Sequence, residues 1–392
     1  MVVLGVLAAA AIVMAAVVLL GGSEDYPAAA PLPLHPVAGG FVPDQTRLED
    51  CSEQRCLEQA FGNIAYRQGP KAALRALDIR YVDGSDPACH RIAHSIGSAS
   101  LSRFHGDVSR TFAQGSASCW SGYYHGVLER SLIDVKSYSP VALGNIARRL
   151  CDGARVRAVA WLAYQCLHGL GHGLMITTGY DLPRSLATCR RLATDWDRTS
   201  CKGGVFMENL SSSYGFTSPW LRDDDPVYPC DAVPAGDKRT CYELVTSRIL
   251  RVLDGDWEKT AETCATVERE WVTTCFRSFG RDVSGRTMRD PTEIVRLCAI
   301  AHPFGGDRPC IVAAAMDMTA NFTSGLEASV LCRSVGRGLR GDCFAAIGTI
   351  MGRFRTTNAE RAADCRGIAT AEGDLSRCVA AARRNATLMV AQ

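Results

Sequence analysis

Ile294-Val295-Arg296-Leu297-Cys298 and, twelve residues on from Cys298, Cys310-Ile311-Val312-Ala313-Ala314-Ala315-Met316 decide how the whole chain reads. The first stretch has the apolar spacing of a helix that ends near its cysteine. The second opens an Ala-rich helix at its cysteine. A bridge between the two would tie the end of one helix to the start of its antiparallel partner across a turn. Such a loop of about a dozen residues is worth about 3 kcal/mol in the chain-entropy picture.

The same unit recurs along the chain. From Cys151 the cysteines fall into pairs: Cys151 with Cys166, Cys189 with Cys201, Cys230 with Cys241, Cys264 with Cys275, Cys298 with Cys310, Cys332 with Cys343 and Cys365 with Cys378. Their second members are separated by 35, 40, 34, 35, 33 and 35 residues. A period of about 35 residues fits one helix–turn–helix unit of a solenoid. Ser118, Ser200, Thr240, Thr274 and Asp342 precede second cysteines and read as helix N-caps. Three residues after the second cysteine the side chain is small (Gly122, Gly169, Gly204, Ser278, Ala313, Ala346, Ala381), with Leu244 the exception. Small residues at a fixed helical position let a neighbouring helix come close. Cys89 and Cys119 read as a looser, earlier version of the unit, and Cys51 and Cys56 as a short bridge at the start of the body. The fold class expected is all-α, a helix–turn–helix repeat solenoid with one disulfide per repeat.

This plan resembles the cysteine-rich Sel1-like repeat proteins, secreted α-solenoids with one disulfide per helical pair. The resemblance covers most of the chain and rests on architecture. The loop between paired cysteines is longer here, that family's residue consensus is not matched, and no binding residue transfers from it.

Composition and compartment agree with one another. The 392 residues carry 18 cysteines, no CxxC pair, and a net charge of +2. Disulfides on this scale require an oxidising compartment, because cytosolic thiols are kept reduced. A near-neutral charge argues against a nucleic-acid partner. Val2 to Leu20 is an unbroken apolar run, long enough to cross a bilayer. Residues 1–22 therefore read as a transmembrane anchor or as a signal cleaved near Ala28-Ala29-Ala30, and 23–45 as a Pro/Ala/Gly linker. Residues 46–180 form histidine-rich N-terminal repeats and 181–392 the C-terminal repeats. The body is expected outside the cytoplasm, periplasmic or extracellular, with the membrane as a partner through the N-terminal segment.

Six of the 8 histidines lie between residues 90 and 172. His90 and His94 are four apart, as are His168 and His172, and His125 and Glu129; such pairs share a helix face. His125 and His172 each sit six residues after their cysteine, so stacked repeats should bring them together. His94 joins with a one-residue shift. The next repeat offers Met207 and Glu208; later ones have Ser247, Arg281, Met316, Thr349 and Arg384 there. Imidazoles with one or two carboxylates suit zinc, copper or iron. The set also reads as buried, hydrogen-bonded core, or as a proton-dependent device. Trp120, Tyr123, Tyr124 and Phe206 surround it, as core or as pocket wall. His105, His302 and His35 fall outside the register. HExxH, GxSxG and P-loop motifs are absent, and Gly336, Gly338 and Gly341 (a GxGxxG) fall where the repeat expects a helix–helix turn.

Two functions follow. In one, His90, His94, His125, His168 and His172 are metal ligands in an extracytoplasmic membrane-anchored protein, with Glu129 or Glu208 as a further ligand or general base. In the other, the solenoid is a protein- or peptide-binding scaffold of the cell envelope with no metal.

Overall fold

Alternation of short and long apolar helices, most pairs from Cys151 on closed by a cysteine bridge, builds the body. The computed structural model describes residues 40–390 apart from 82–86, 117, 120, 134 and 214–216. Segment 1–22, His35 and Trp120 lie outside the described residues. Among the described residues no helix is long and apolar enough to cross a membrane, and no strand occurs.

The N-terminal part runs α1 (Gln54–Gln68), α2 (Pro70–Arg80), α3 (Pro87–Arg103), α4 (Val108–Phe112), α5 (Gly122–Leu132), α6 (Pro140–Cys151) and α7 (Ala154–Arg157). It continues with α8 (Ala160–Thr177), α9 (Leu182–Cys189), α10 (Asp195–Leu210), α11 (Ala235–Tyr242), α12 (Thr246–Val252) and α13 (Trp257–Thr266). The C-terminal part is α14 (Val272–Arg286), α15 (Pro291–Ile300), α16 (Asp307–Phe322), α17 (Leu326–Ser334), α18 (Arg337–Met351), α19 (Asn358–Ile368) and α20 (Glu372–Val390). Longer helices stack in one row, α1 on α3, α3 on α5, α5 on α8 and α8 on α10, then α14 on α16, α16 on α18 and α18 on α20. Shorter helices form a second row, in which α6 meets α9 and α15 meets both α13 and α17. This is a two-layer α-solenoid, as the cysteine period implies.

All nine expected disulfides form, with Cα–Cα distances of 5.3 to 5.9 Å, and no cysteine is free. Six follow the expected plan: Cys151–Cys166, Cys189–Cys201, Cys264–Cys275, Cys298–Cys310, Cys332–Cys343 and Cys365–Cys378. In these the first cysteine lies at or near the end of a short helix, and the second lies in the first half of the long helix that follows. The second cysteine is thus not the opening residue of its helix: Cys201 sits in α10, which starts at Asp195, Cys275 in α14, which starts at Val272, and Cys343 in α18, which starts at Arg337. Cys264 and Cys332 fall in the last turns of α13 and α17, as expected. Cys89–Cys119 differs, joining the start of α3 to the turn before α5 in the same row. Cys51–Cys56 is the short bridge at the start of the body. In the repeat of Cys230–Cys241 the long helix is broken at residues 243–245 into α11 and α12. The break falls on Leu244, the one large residue at the small-residue position.

The expected N-caps are corrected. Ser200, Thr240, Thr274 and Asp342 lie inside their helices, whose N-cap residues are Thr194, Pro234, Trp271 and Gly336. Ser118 precedes α5, whose N-cap is Ser121. Asp342 instead ion-pairs with Arg308 at 3.1 Å and Arg377 at 2.9 Å, linking three stacked long helices. Side-chain caps are concentrated in the short row: Asp107, Ser139, Asp181, Asp256, Asp290 and Thr357 accept backbone N–H bonds at the starts of α4, α6, α9, α13, α15 and α19, and Thr194 does the same for the long helix α10. Of the three glycines expected in the helix–helix turn, Gly336 lies there, whereas Gly338 and Gly341 fall inside α18, which starts at Arg337.

The stack also curves back on itself. The Trp161 amide at the start of α8 donates to the Arg353 carbonyl after α18 at 3.3 Å. The Trp161 ring meets Phe354 edge-on, with centroids 4.9 Å apart.

Candidate metal centre

Four consecutive helices of the long row bring the histidines together. α3 supplies His90 and His94, α5 His125 and Glu129, α8 His168 and His172, and α10 Glu208. Glycines set the spacing between these helices, among them Gly126 and Gly204. A Cβ on Gly126 of α5 would collide with the His94 backbone, and one on Gly204 of α10 with the His168 carbonyl. Backbones therefore touch, and side chains one turn away reach across.

The five imidazoles form one chain of rings. Centroid distances from His125 are 5.3 Å to His90, 5.4 Å to His94, 5.6 Å to His168 and 4.3 Å to His172, the last stacked at 21°. Both i,i+4 pairs meet through Nε2, at 3.0 Å for His90 and His94 and 3.3 Å for His168 and His172. The two halves obey one plan. His90 Nδ1 donates to the Cys119 carbonyl at 2.8 Å, and His168 Nδ1 lies 3.5 Å from the Tyr164 hydroxyl, with the Ser200 backbone also favouring the charged ring. His94 Nδ1 donates to Glu129, 3.1 and 2.9 Å from its two oxygens. His172 Nδ1 donates to Glu208 Oε2 at 2.8 Å. In each half a glutamate of the next long helix holds one Nδ1, that of His94 or His172, and the paired Nε2 atoms face each other. A carboxylate behind an imidazole in this way fixes its tautomer and raises its basicity.

His125 lacks this support: both of its ring nitrogens are buried without a hydrogen-bond partner. His94, His125, His168 and His172 and both carboxylates are 5% exposed or less. Burial, reinforced by the neighbouring rings, holds His125 and His168 well below the usual histidine range and His90 at about 3. For His94 burial acts the same way, but Glu129 outweighs it and raises the ring. Burial likewise opposes ionisation of Glu208, yet His172, Ser213 and Tyr180 hold its carboxyl down at about 2.

All seven residues singled out by spacing thus lie in one cluster. Single donor atoms from His90, His94 and His125, and from His125, His168 and His172, lie within 4.8 Å of one another. His105 and His302 are exposed and apart from it. Tyr123, Tyr124 and Phe206 are core side chains. Spacing did not single out Tyr180, which donates to Glu208 Oε1 at 2.5 Å, or Ser213, whose hydroxyl donates to Oε2 at 2.6 Å. Tyr164 was also missed: its ring stacks on His168 with centroids 5.3 Å apart. It lies four residues before His168 on the same helix face, a spacing that could have found it.

No protein-family profile matches the chain, and neither does a curated protein or a solved structure. The disulfide-rich helical repeat architecture is present, and nothing ties it to the Sel1-like proteins in particular. Fold and disulfides define its class: an all-helical repeat protein of an oxidising, extracytoplasmic compartment, with a buried imidazole cluster in its N-terminal repeats.

Proposed function

We propose that this protein binds a transition metal in the imidazole cluster. The observation that carries the reading is the facing of Nε2 atoms. Where both rings are neutral and Nδ1 donates outward, the facing Nε2 atoms 3.0 or 3.3 Å apart are both acceptors, and a metal ion between them satisfies the two lone pairs together. Two imidazole nitrogens on one tetrahedral ion, each about 2.0–2.1 Å from it, sit about 3.3 Å apart. A shared proton could join His90 to His94, but it would leave the His125 nitrogens as they are.

No thiolate competes for the role, since every cysteine is bridged. The donor set is imidazole, which suits zinc, copper or iron. Glu129 and Glu208 act as positioning residues on the Nδ1 side. The cluster lies in the N-terminal part of the disulfide-stapled stack, and its imidazoles come from three neighbouring helices, so bound metal also ties those helices together.

Elemental analysis of the untagged full chain tests this beside a His125→Ala, His172→Ala double variant. Wild type should retain about one or two ions per chain, and the variant should lose them while staying folded. Absence of metal from wild type after exposure to zinc and to copper would refute it.

A second reading, a docking scaffold of the cell envelope, draws on the C-terminal repeats. Phe322, Leu326 and Val330 are 42%, 60% and 47% exposed at the α16–α17 turn and along α17. It expects partner binding that survives loss of the histidines.

A further inference from the structure

We propose that His125 is a bridging ligand between two metal ions, one held by His90 and His94 and the other by His168 and His172. This rests on the metal reading above and deepens it.

Both halves of the centre are complete except for a third donor. Each offers two Nε2 atoms at metal-pair spacing, and the Nδ1 atoms of His90, His94 and His172 are tied to Cys119, Glu129 and Glu208. His125 stands between them on α5, the helix stacked on α3 and on α8. It belongs to both groups of three whose donor atoms converge.

His125 also differs from the other four in having no partner at either nitrogen. A buried polar atom left unpaired costs about 1–3 kcal/mol, and native interiors contain few of them. One ion would take one nitrogen and leave the other buried and unpaired. Two ions take both. Bridging requires the ring to lose its remaining proton, which passes to solvent as the second divalent ion binds and each ion accepts one ring lone pair. Glu129 and Glu208, one behind each half, supply negative charge that offsets the two cations.

The repeat explains how such a centre arises. His90/His94 with Glu129, and His168/His172 with Glu208, are the same device built twice along the stack, two long helices apart. The helix between them carries the one histidine that both can use.

Copper(II) is the probe. The full-length chain is saturated with copper(II) and desalted, its copper content is measured, and its low-temperature electron paramagnetic resonance signal is integrated. Expected is about two coppers per chain with loss of most of the integrated signal, because an imidazolate couples the two unpaired spins. His125→Gln should restore a full signal per bound copper. His90→Gln with His94→Gln should leave one copper, also with full signal. His125→Asn serves if the Gln variant loses its helical circular dichroism. One copper per wild-type chain, or two with a full signal, overturns the bridge while leaving a metal centre in place. Signal loss that persists without His125 overturns it as well. No copper or zinc bound at all would remove the metal reading and the bridge together.

Discussion

Glu208 is heavily held within the cluster. It accepts from His172 Nδ1, the Tyr180 hydroxyl, and the Ser213 amide and hydroxyl, at 2.8, 2.5, 2.9 and 2.6 Å. Glu208→Gln keeps the volume but removes the charge that fixes the His172 tautomer. Losses of this kind weaken metal binding by about 10- to 100-fold. Competition against a chromophoric chelator measures it; an unchanged affinity would reduce Glu208 to packing. The same burial makes the metal-free chain sensitive to acid. His90, His125 and His168 resist protonation in the fold, with His90 near 3 against an ordinary 6.5. Below 6.5 the unfolded chain takes up protons that the folded chain refuses, so their contribution is lost as pH falls. His94, raised in the fold, works the other way: its contribution is present below 6.5 and lost as pH rises. Three depressed rings outweigh one raised ring. The urea midpoint of chelator-treated protein should be lower at about pH 5.5 than at about pH 7.5. Equal midpoints would mean that the cluster opens to solvent before the chain unfolds. The histidines and carboxylates were legible because i,i+4 spacing and the cysteine register both point at them. Tyr180 was not: it lies past the end of α8 with φ +61°, where no periodicity reaches.

At the scale of the helix, close approach is enforced by absent side chains. A methyl at Gly204 favours helix by about 1 kcal/mol relative to glycine. It would also press into the His168 carbonyl, which is backbone and cannot swing away. Overpacking of this kind costs about 1–3 kcal/mol, so Gly204→Ala should lower the unfolding temperature. Gly367→Ala on α19, where a Cβ meets nothing within 4 Å, should leave it unchanged or raise it. A drop of the same size in both would assign the effect to something other than α8–α10 contact. The helix pairs were legible from cysteine spacing because most bridges tie the end of a short helix to the first half of the long helix that follows. The starts themselves were misplaced, since Ser200 and Thr240 are buried inside their helices and Asp342 serves ion pairs instead. Leu244 marks a broken helix, a departure the sequence displayed without saying what it meant.

For the whole molecule, local pairing was readable and long-range curvature was not. Each disulfide spans at most 30 residues, so the cysteines report only nearest neighbours. How many degrees each repeat turns depends on side-chain volumes summed over the stack. Trp161 and Phe354, which meet because of that sum, show no common pattern in the sequence. Their meeting alters how the array comes apart. An open solenoid can fray one unit at a time from either end. Here α18 is tethered through the turn that follows it to the first turn of α8. Melting that begins at α20 must therefore prise off this contact before it can run past α18. The segment between behaves as a hoop rather than a ribbon, and a pulling force on its ends would meet the hoop's clasp before it met the individual repeats.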